Sequence, residues 1–438
     1  MIKSTALYRL LIIAAILIVS CQDKKAKEPI LEENITQSTN PTFIHLSDVH
    51  LNASVAKCDY GSDTGTELWG ITLEKLSEVL TTAPKPEFVV YTGDLPAHYS
   101  CLDTCYLPPN TPGRAEHVKN LKTILNDMRA LVEESNTPFF YMPGNNDAIG
   151  GDYYSFTDKQ GNSPLSLVDT TGITDLYPAL NTAVSCGNPP CILSSPNPTM
   201  GYYSVKATEG LRILALNSII LGRKYFPLDG VSQLDAGNQQ IDWINQELES
   251  AKAANDKVYI AMHIPPGEDA YGVTHFGKMN MWAHLPNKKD EWQDQFLTLC
   301  AKYSTTISGI LYGHTHMDEL RRLYANDGTT ITEVAIAAPG ITPQHHNNPG
   351  FKVVSYDPNS FELTDFITHY TTPQATTWGE KTYQFSDKYD CGEHQTIFDC
   401  LVSKSLEDVA SSMDLVYTVM NGDTTYNPIS GIDVKYGQ

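Results

Sequence analysis

The chain reads as an α/β protein, and two observations predict it. Short apolar runs of strand length alternate with longer stretches of helical pattern, and five of those runs end in Asp, Asn or His. With 438 residues, 41% of them apolar, there is enough material for a large core, arranged as one large domain or two smaller ones.

Taken from the start, Lys3 and Arg9 precede an apolar run from Leu10 to Val19 that is too short to span a bilayer, so residues 1–20 are expected to be an export signal. The run ends in Ile18-Val19-Ser20-Cys21, similar to a bacterial lipobox, in which the Cys is lipidated and becomes the mature N-terminus. This predicts a bacterial lipoprotein on a periplasmic or cell-surface membrane face, anchored through Cys21. Residues 22–40 are polar and lack an apolar period, as a linker would. The catalytic domain is expected over 41–372. Beyond it the Thr- and Tyr-rich text, with a helix from Leu406 to Met420, predicts a small C-terminal subdomain over 373–438.

Within the main domain the elements follow in order. Phe43 to Leu46 leads into Asp48-Val49-His50, and Glu74 to Thr81 has helical pattern. Phe88 to Tyr91 leads into Gly93-Asp94, followed by a helix over Ala115 to Glu134. Phe139 to Met142 leads into Gly144-Asn145-Asn146-Asp147. After a helix over Asn238 to Ala254, Val258 to Met262 leads into His263, and Ile307 to Tyr312 into Gly313-His314-Thr315-His316. In α/β sheets the ligand site lies beyond the carboxyl ends of the strands, so these termini should converge. A lone Asp-x-His is a weak signal and a lone Gly-Asn-Asn-Asp is commonly a turn; five such termini in order are hard to ascribe to chance.

Carboxylate, amide oxygen and imidazole are the donors that suit Zn, Mn or Fe. Two such dications held about 3.5–4 Å apart clamp a phosphate and acidify a bridging water. Asp94 is the natural bridge, because a carboxylate has two oxygens. The glycines before Asp94, Asn145 and His314 let backbone and metal approach closely.

These residues carry a resemblance. The sequence resembles calcineurin-like metallophosphoesterases, and within them the acid sphingomyelinase-like phosphodiesterases, over roughly residues 41–372 and more loosely in the tail. The family pattern is Asp-x-His, Gly-Asp, Gly-Asn-His-Asp/Glu, His and Gly-His-x-His. The resemblance implies a four-layer α/β/β/α sandwich with a small, mainly helical C-terminal subdomain. It implies one ion on Asp48, His50 and His316, a second on Asn145, His263 and His314, with Asp94 shared, and zinc as the metal. Gly93-Asp94-Leu95-Pro96-Ala97-His98 is similar to the narrower group's Gly-Asp-x-x-x-His, which implies that His98 protonates the leaving group after attack by a metal-bridging hydroxide. His263-Ile264-Pro265-Pro266-Gly267 and Asn348-Pro349-Gly350-Phe351 are similar to further segments of that group. One departure stands out: Asn146 occupies the position of the family's His, and an amide can donate a hydrogen bond but cannot transfer a proton. Gly-Asn-Asn-Asp is similar to endopolyphosphatases of the superfamily. The resemblance is closest to members lacking a saposin-like domain.

Acidic residues outnumber basic ones 51 to 30, a formal charge of −21, which argues against a nucleic-acid polymer as partner. The expected substrate is a small phosphate ester or a phospholipid, and the expected state a monomer. Cysteines 58, 101, 105, 186, 191, 300, 391 and 400 form an even set in an exported chain, with Cys186–Cys191 and Cys391–Cys400 the first pairs to expect. Among other candidates, His345 is a weak choice for substrate contact over His275, His284 and His346, and Tyr202, Tyr203 and Trp282 could line a pocket. The functional readings are a phosphodiesterase on a phospholipid headgroup or nucleotide, an endopolyphosphatase-like phosphoanhydride hydrolase, and a non-catalytic surface-binding lipoprotein.

Overall fold

Runs such as Phe43-Ile44-His45-Leu46 and Lys257-Val258-Tyr259-Ile260-Ala261 combine β-branched and aromatic residues that pack well on a pleated surface. In the computed structural model, which describes residues 40–98, 112–167, 188–195, 198–276, 279–286, 291–422 and 429–438, they form two sheets. The first holds β1 (Thr42–Leu46), β2 (Val89–Tyr91) and β3 (Phe139–Tyr141), with β11 (Gly350–Tyr356), β12 (Leu363–Tyr370) and β13 (Thr382–Gln384), in the order β13-β12-β11-β1-β2-β3. The second holds β4 (Cys191–Ser194), β5 (Tyr203–Thr208), β6 (Leu211–Ala215), β7 (Lys257–Ala261), β8 (Ile307–Tyr312), β9 (Leu320–Tyr324), β10 (Ile331–Ala337) and β14 (Asp433–Val434), in the order β14-β9-β10-β8-β7-β6-β5-β4. The pairs β1–β2, β2–β3 and β7–β8 are parallel, so the ends that carry the polar loops share a direction within each sheet.

Side-chain alternation shows how the layers meet. On β7, Val258 and Ile260 join the apolar cluster of α3 (Gln233–Ala254) and α5 (Trp292–Lys302), while Tyr259 and Ala261 join the cluster shared with the first sheet. The Phe43 ring on β1 lies 5.6 Å from the Tyr259 ring, an aromatic contact from sheet to sheet. Helices α1 (Thr66–Thr81) and α2 (Pro112–Ser135) add Leu68, Trp69, Leu76, Leu121 and Leu125 to that cluster. Two sheets packed together and flanked by helices match the sandwich that the resemblance implies.

Differences from the sequence reading are local. α1 begins at Thr66, eight residues before the expected Glu74, because Leu68, Trp69 and Thr72 fall on the buried face and tertiary packing extends the helix across Gly70. α3 starts at Gln233, where the Ser232 side chain caps the amide of Asp235, and ends at Asn255 in the left-handed conformation. The tail contributes α6 (Phe385–Lys388), α7 (Ile397–Val402), α8 (Leu406–Val416) and α9 (Ile429–Ile432), while its β13 and β14 extend both sheets. A short α4 (Ala270–Phe276) follows β7.

Cys391–Cys400 is a disulfide, and Cys191 is disulfide-bonded. Cys58 and Cys300 are free buried thiols, so the even count does not pair off completely. Cys186, Cys101, Cys105 and the segment 1–39, with the signal, Cys21 and most of the linker, lie outside the described residues. No helix among the described residues is long and apolar enough to cross a membrane.

Candidate metal centre

Each predicted ligand sits just past the end of a strand, and the loops carrying them bend sharply. Asp48, His50, Asp94, His314 and His316 adopt φ of 50°, 45°, 63°, 75° and 64°, the left-handed region that costs a side chain energy and that clusters at functional sites. Between them Gly93 takes φ of 96°, and a Cβ on it would sit 2.4 Å from the Gly144 nitrogen, so two loops touch where only glycine fits. At Gly313 a Cβ would lie 1.9 Å from Ser47 Oγ. Termini from both sheets thereby meet in one cleft.

Tautomers follow from the hydrogen bonds. His50 Nδ1 lies 3.0 Å from the Pro96 carbonyl oxygen and His263 Nδ1 2.6 Å from that of Thr92; a carbonyl only accepts, so Nδ1 donates and Nε2 presents a lone pair. Both Nε2 atoms face Asp94 Oδ2 at 3.2 Å. His263 Nε2 also lies 3.0 Å from Asn145 Oδ1 and 3.2 Å from His314 Nδ1. Asn145 turns its amide nitrogen away, donating to Asp152 Oδ1 at 2.7 Å, so the oxygen points inward. Asp48 Oδ1 stands 3.7 Å from His50 Nε2 and 3.6 Å from His316 Nε2. His50 Nε2 and His316 Nδ1 are buried and lack a hydrogen-bond partner in the described structure.

In the neutral rings the Nε2 atoms of His50 and His263 would face the Asp94 carboxylate acceptor to acceptor, an arrangement relieved only by a cation, a proton or a metal ion, between the atoms. Among the described residues three groupings could hold a metal ion, each with ligand atoms within 4.8 Å of one another: Asp48, His50 and Asp94; Asp94, His263 and His314; and His50, His98 and His316. The donor set therefore fits divalent metal. The chain's electrostatics report the same deficit of positive charge. Burial opposes charging His263, but Asp94 outweighs it and holds the imidazole up at about 9; His50 is likewise raised. Asp94, despite its burial, is held well below the usual carboxylate range by His263 and His50. His314 and His316 are pushed down by burial and by neighbouring imidazoles.

A further layer fixes these groups. Asp147 accepts from the amides of Asp94 (3.0 Å), Leu95 (2.6 Å) and Gly144 (2.6 Å), and from the Tyr141 hydroxyl (2.8 Å). Burial, with Asp94 alongside, pushes its carboxyl up to about 6. Asn146 is buried, its backbone amide donating to Asp94 Oδ1 at 2.7 Å and its side chain to Oδ2 at 2.9 Å. His98 stacks on His50 with ring centroids 3.7 Å apart. Asp63 clamps it, Oδ1 taking Nδ1 at 2.7 Å and Oδ2 the backbone amide at 2.9 Å.

The cleft beside these residues has a volume of about 350 Å³, and its wall includes Asp152, Tyr153, Arg223, Lys224, Tyr271 and His345. His345 stacks between His316 and Tyr271, with centroids 4.1 Å from each. His284 is exposed and pairs with Glu291 at 3.5 Å; the His275 side chain lies outside the described residues. Tyr202, Tyr203 and Trp282 are core: Tyr202 packs on Trp243, Tyr203 donates to the Tyr141 carbonyl, and Trp282 to that of Ile264. Sequence reading missed Asp63, Asp147, Asp152, Arg223 and Lys224. Only Asp147 carried a signal, as the last residue of Gly-Asn-Asn-Asp.

Two packed sheets with an Asp/Asn/His cluster at the strand ends define the class, a metal-dependent phosphoric ester hydrolase. The chain belongs to the calcineurin-like phosphoesterase family, whose model matches residues 41–318. Sphingomyelinase phosphodiesterase D of Dictyostelium discoideum is 28% identical over 362 residues, covering 81% of this chain and 72% of that protein. Cyclic GMP-AMP phosphodiesterase SMPDL3A of Mus musculus is 31% identical over 179 residues, 39% of this chain and 37% of that protein. The match spans 40% of the bovine sphingomyelin phosphodiesterase, at 30% identity over 66% of this chain. A solved dimetal phosphatase from Danio rerio superposes with a TM-score of 0.45 at 12% identity, covering 79% of this chain and 98% of that one.

Proposed function

We propose that the protein hydrolyses phosphodiesters, of a phospholipid headgroup or a nucleotide, at a site for two divalent metal ions. The observation that carries this is the pair of imidazole Nε2 atoms, of His50 and His263, that converge on one oxygen of Asp94 at 3.2 Å each. Asp48, His50 and His316 would hold one ion and Asn145, His263 and His314 the other, with Asp94 between them; the mixed imidazole and oxygen donors favour zinc, with manganese or iron as alternatives. Bound there, two dications supply Lewis-acid polarisation of a phosphoryl oxygen and acidify water.

The chain's own residues do the rest. Asp152 keeps the Asn145 oxygen pointing inward, and Asn146 holds Asp94 through both carboxylate oxygens. Asp63 orients His98 through Nδ1, leaving Nε2 to deliver a proton to the departing oxygen. The sphingomyelin headgroup ester and the cyclic dinucleotide in the relatives' names both belong to the phosphodiester class. A phosphoanhydride is the second reading, favoured by Arg223 and Lys224 on the cleft wall. Export and a lipid anchor at Cys21 rest on the leading sequence and are checked by incorporation of labelled palmitate.

The test measures product release from bis-p-nitrophenyl phosphate, sphingomyelin, a cyclic dinucleotide and long-chain polyphosphate, with metal content alongside, for wild type and Asp94→Asn. Metal-dependent diester cleavage that the variant loses supports the proposal, and a preference for polyphosphate selects the second reading. Turnover that survives in the variant, or silence on every substrate with two ions bound, overturns it.

A further inference from the structure

The loop that carries His314 and His316 leaves the second sheet at Tyr312, the end of β8, and is fastened to the first sheet two residues beyond His316. There Asp318 forms a buried ion pair with Lys352 of β11, whose Nζ donates to Oδ1 at 2.5 Å. Lys352 also donates to the Thr368 hydroxyl of β12 at 3.0 Å and stands 3.8 Å from the centre of the Phe366 ring. Thr368 in turn donates to Asp318 Oδ2 at 3.1 Å, and the Tyr383 hydroxyl of β13 donates to the same oxygen. One carboxylate on a loop of the second sheet is thus held by three neighbouring strands of the first. Lys352 is in register with His45 of β1, the strand that runs on into Asp48 and His50. The ion pair therefore joins the two places from which Asp48, His50 and His316 come, and these are the three residues proposed above for one ion.

His316 depends on that tie more than the other imidazoles do. Nδ1 of His50 and Nδ1 of His263 each donate to a backbone carbonyl, which fixes those rings, whereas His316 Nδ1 is buried without a hydrogen-bond partner in the described structure. Its ring rests against His345 at 4.1 Å and its carbonyl accepts from the Gly340 amide at 3.0 Å, so the ring goes where its backbone goes. His314 is held from the β8 side of the loop. The Gly313 amide donates to the His263 carbonyl at 3.1 Å, and the His314 amide to Asp48 Oδ2 at 3.0 Å.

We propose that Lys352 and Asp318 are positioning residues for one of the two metal sites: by tying the loop after β8 to β11 they set His316 against Asp48 and His50, and they leave the site of Asn145, His263 and His314 to other contacts. The proposal rests on the two-ion reading given above. Replacing a buried ion pair by apolar residues is often neutral or stabilising, so net stability does not by itself account for this one.

The experiment is titration of zinc into the full-length, metal-stripped protein in competition with a chromophoric chelator. Lys352→Met, similar in length and uncharged, is placed in two backgrounds: His263→Ala, which leaves the site containing His316, and His316→Ala, which leaves the other. Loss of an orienting partner typically weakens metal binding by about 10- to 100-fold. The expected result is a loss of about tenfold or more in zinc affinity in the His263→Ala background and of less than about twofold in the His316→Ala background. A general loosening of the fold would weaken both alike, so equal losses in the two backgrounds, or no loss in either, overturn the proposal. Wild-type protein that binds fewer than two zinc ions refutes the two-ion reading, and the proposal with it. Should Lys352→Met fail to fold, Asp318→Asn, which keeps the shape of the group and removes its charge, is read by the same outcomes.

Discussion

Replacing Gly313 with alanine should damage the candidate metal centre without touching a candidate ligand. The new Cβ would lie 1.9 Å from Ser47 Oγ and 2.7 Å from Asp48 Oδ2, on a side chain and loop held by surrounding strands. Overpacking of this kind costs about 1–3 kcal/mol, and with two polar atoms inside contact distance the upper end, roughly 3 kcal/mol, applies. Ser47 Oγ also donates to Asp48 Oδ2 at 2.5 Å, so Ser47→Ala alone removes a charge-assisted bond worth about 1.5–3 kcal/mol. In the double variant the closest clash is gone, and the loss should fall short of the sum by about 1 kcal/mol or more. Urea unfolding of the four proteins, with metal stoichiometry measured on each, is the assay. An alanine at 313 that unfolds with wild type, or strictly additive losses, would refute the steric reasoning.

Two further outcomes follow from the surrounding residues. Asp152→Ala frees the Asn145 amide to rotate, and loss of such an orienting partner should weaken binding of one ion by about 10- to 100-fold in a metal titration, with the other ion little changed. Burial holds His117 down at about 4, although it donates to the Ala148 carbonyl at 2.8 Å, whereas the unfolded imidazole titrates near 6.5. The unfolded chain takes up that proton first, so this contribution is complete above about pH 6.5 and is lost as pH falls toward 4. That difference corresponds to roughly 3 kcal/mol, and His117→Gln should lose less stability than wild type between pH 7 and pH 4.5; equal losses would show that another group controls that range.

Much of the candidate centre was legible because each candidate ligand directly follows a buried strand. The runs ending at Leu46, Tyr91, Met142, Met262 and Tyr312 announce themselves by apolarity, and the loop after each is short enough that its polar residues stay near the strand end. His98 and Asn146 came with those loops. Asp63 and Asp152 did not, since each is a single acid in a loop without period, and nothing local states that one clamps His98, 35 residues away, while the other turns the Asn145 amide. Boundaries failed for a related reason: Thr66 to Leu73 is helical because Leu68, Trp69 and Thr72 find a core to bury against.

By itself, then, the sequence determined the class of fold, the order of the strands' polar ends and the kind of donor each supplies, because those properties depend on residue type and short-range period. Tertiary structure alone decided which atoms face one another. The tautomers of His50 and His263, the contact of Gly313 with Ser47 and the cationic wall at Arg223 and Lys224 all arise between segments far apart in the chain. Their geometry is set by how the two sheets pack, which no local pattern records.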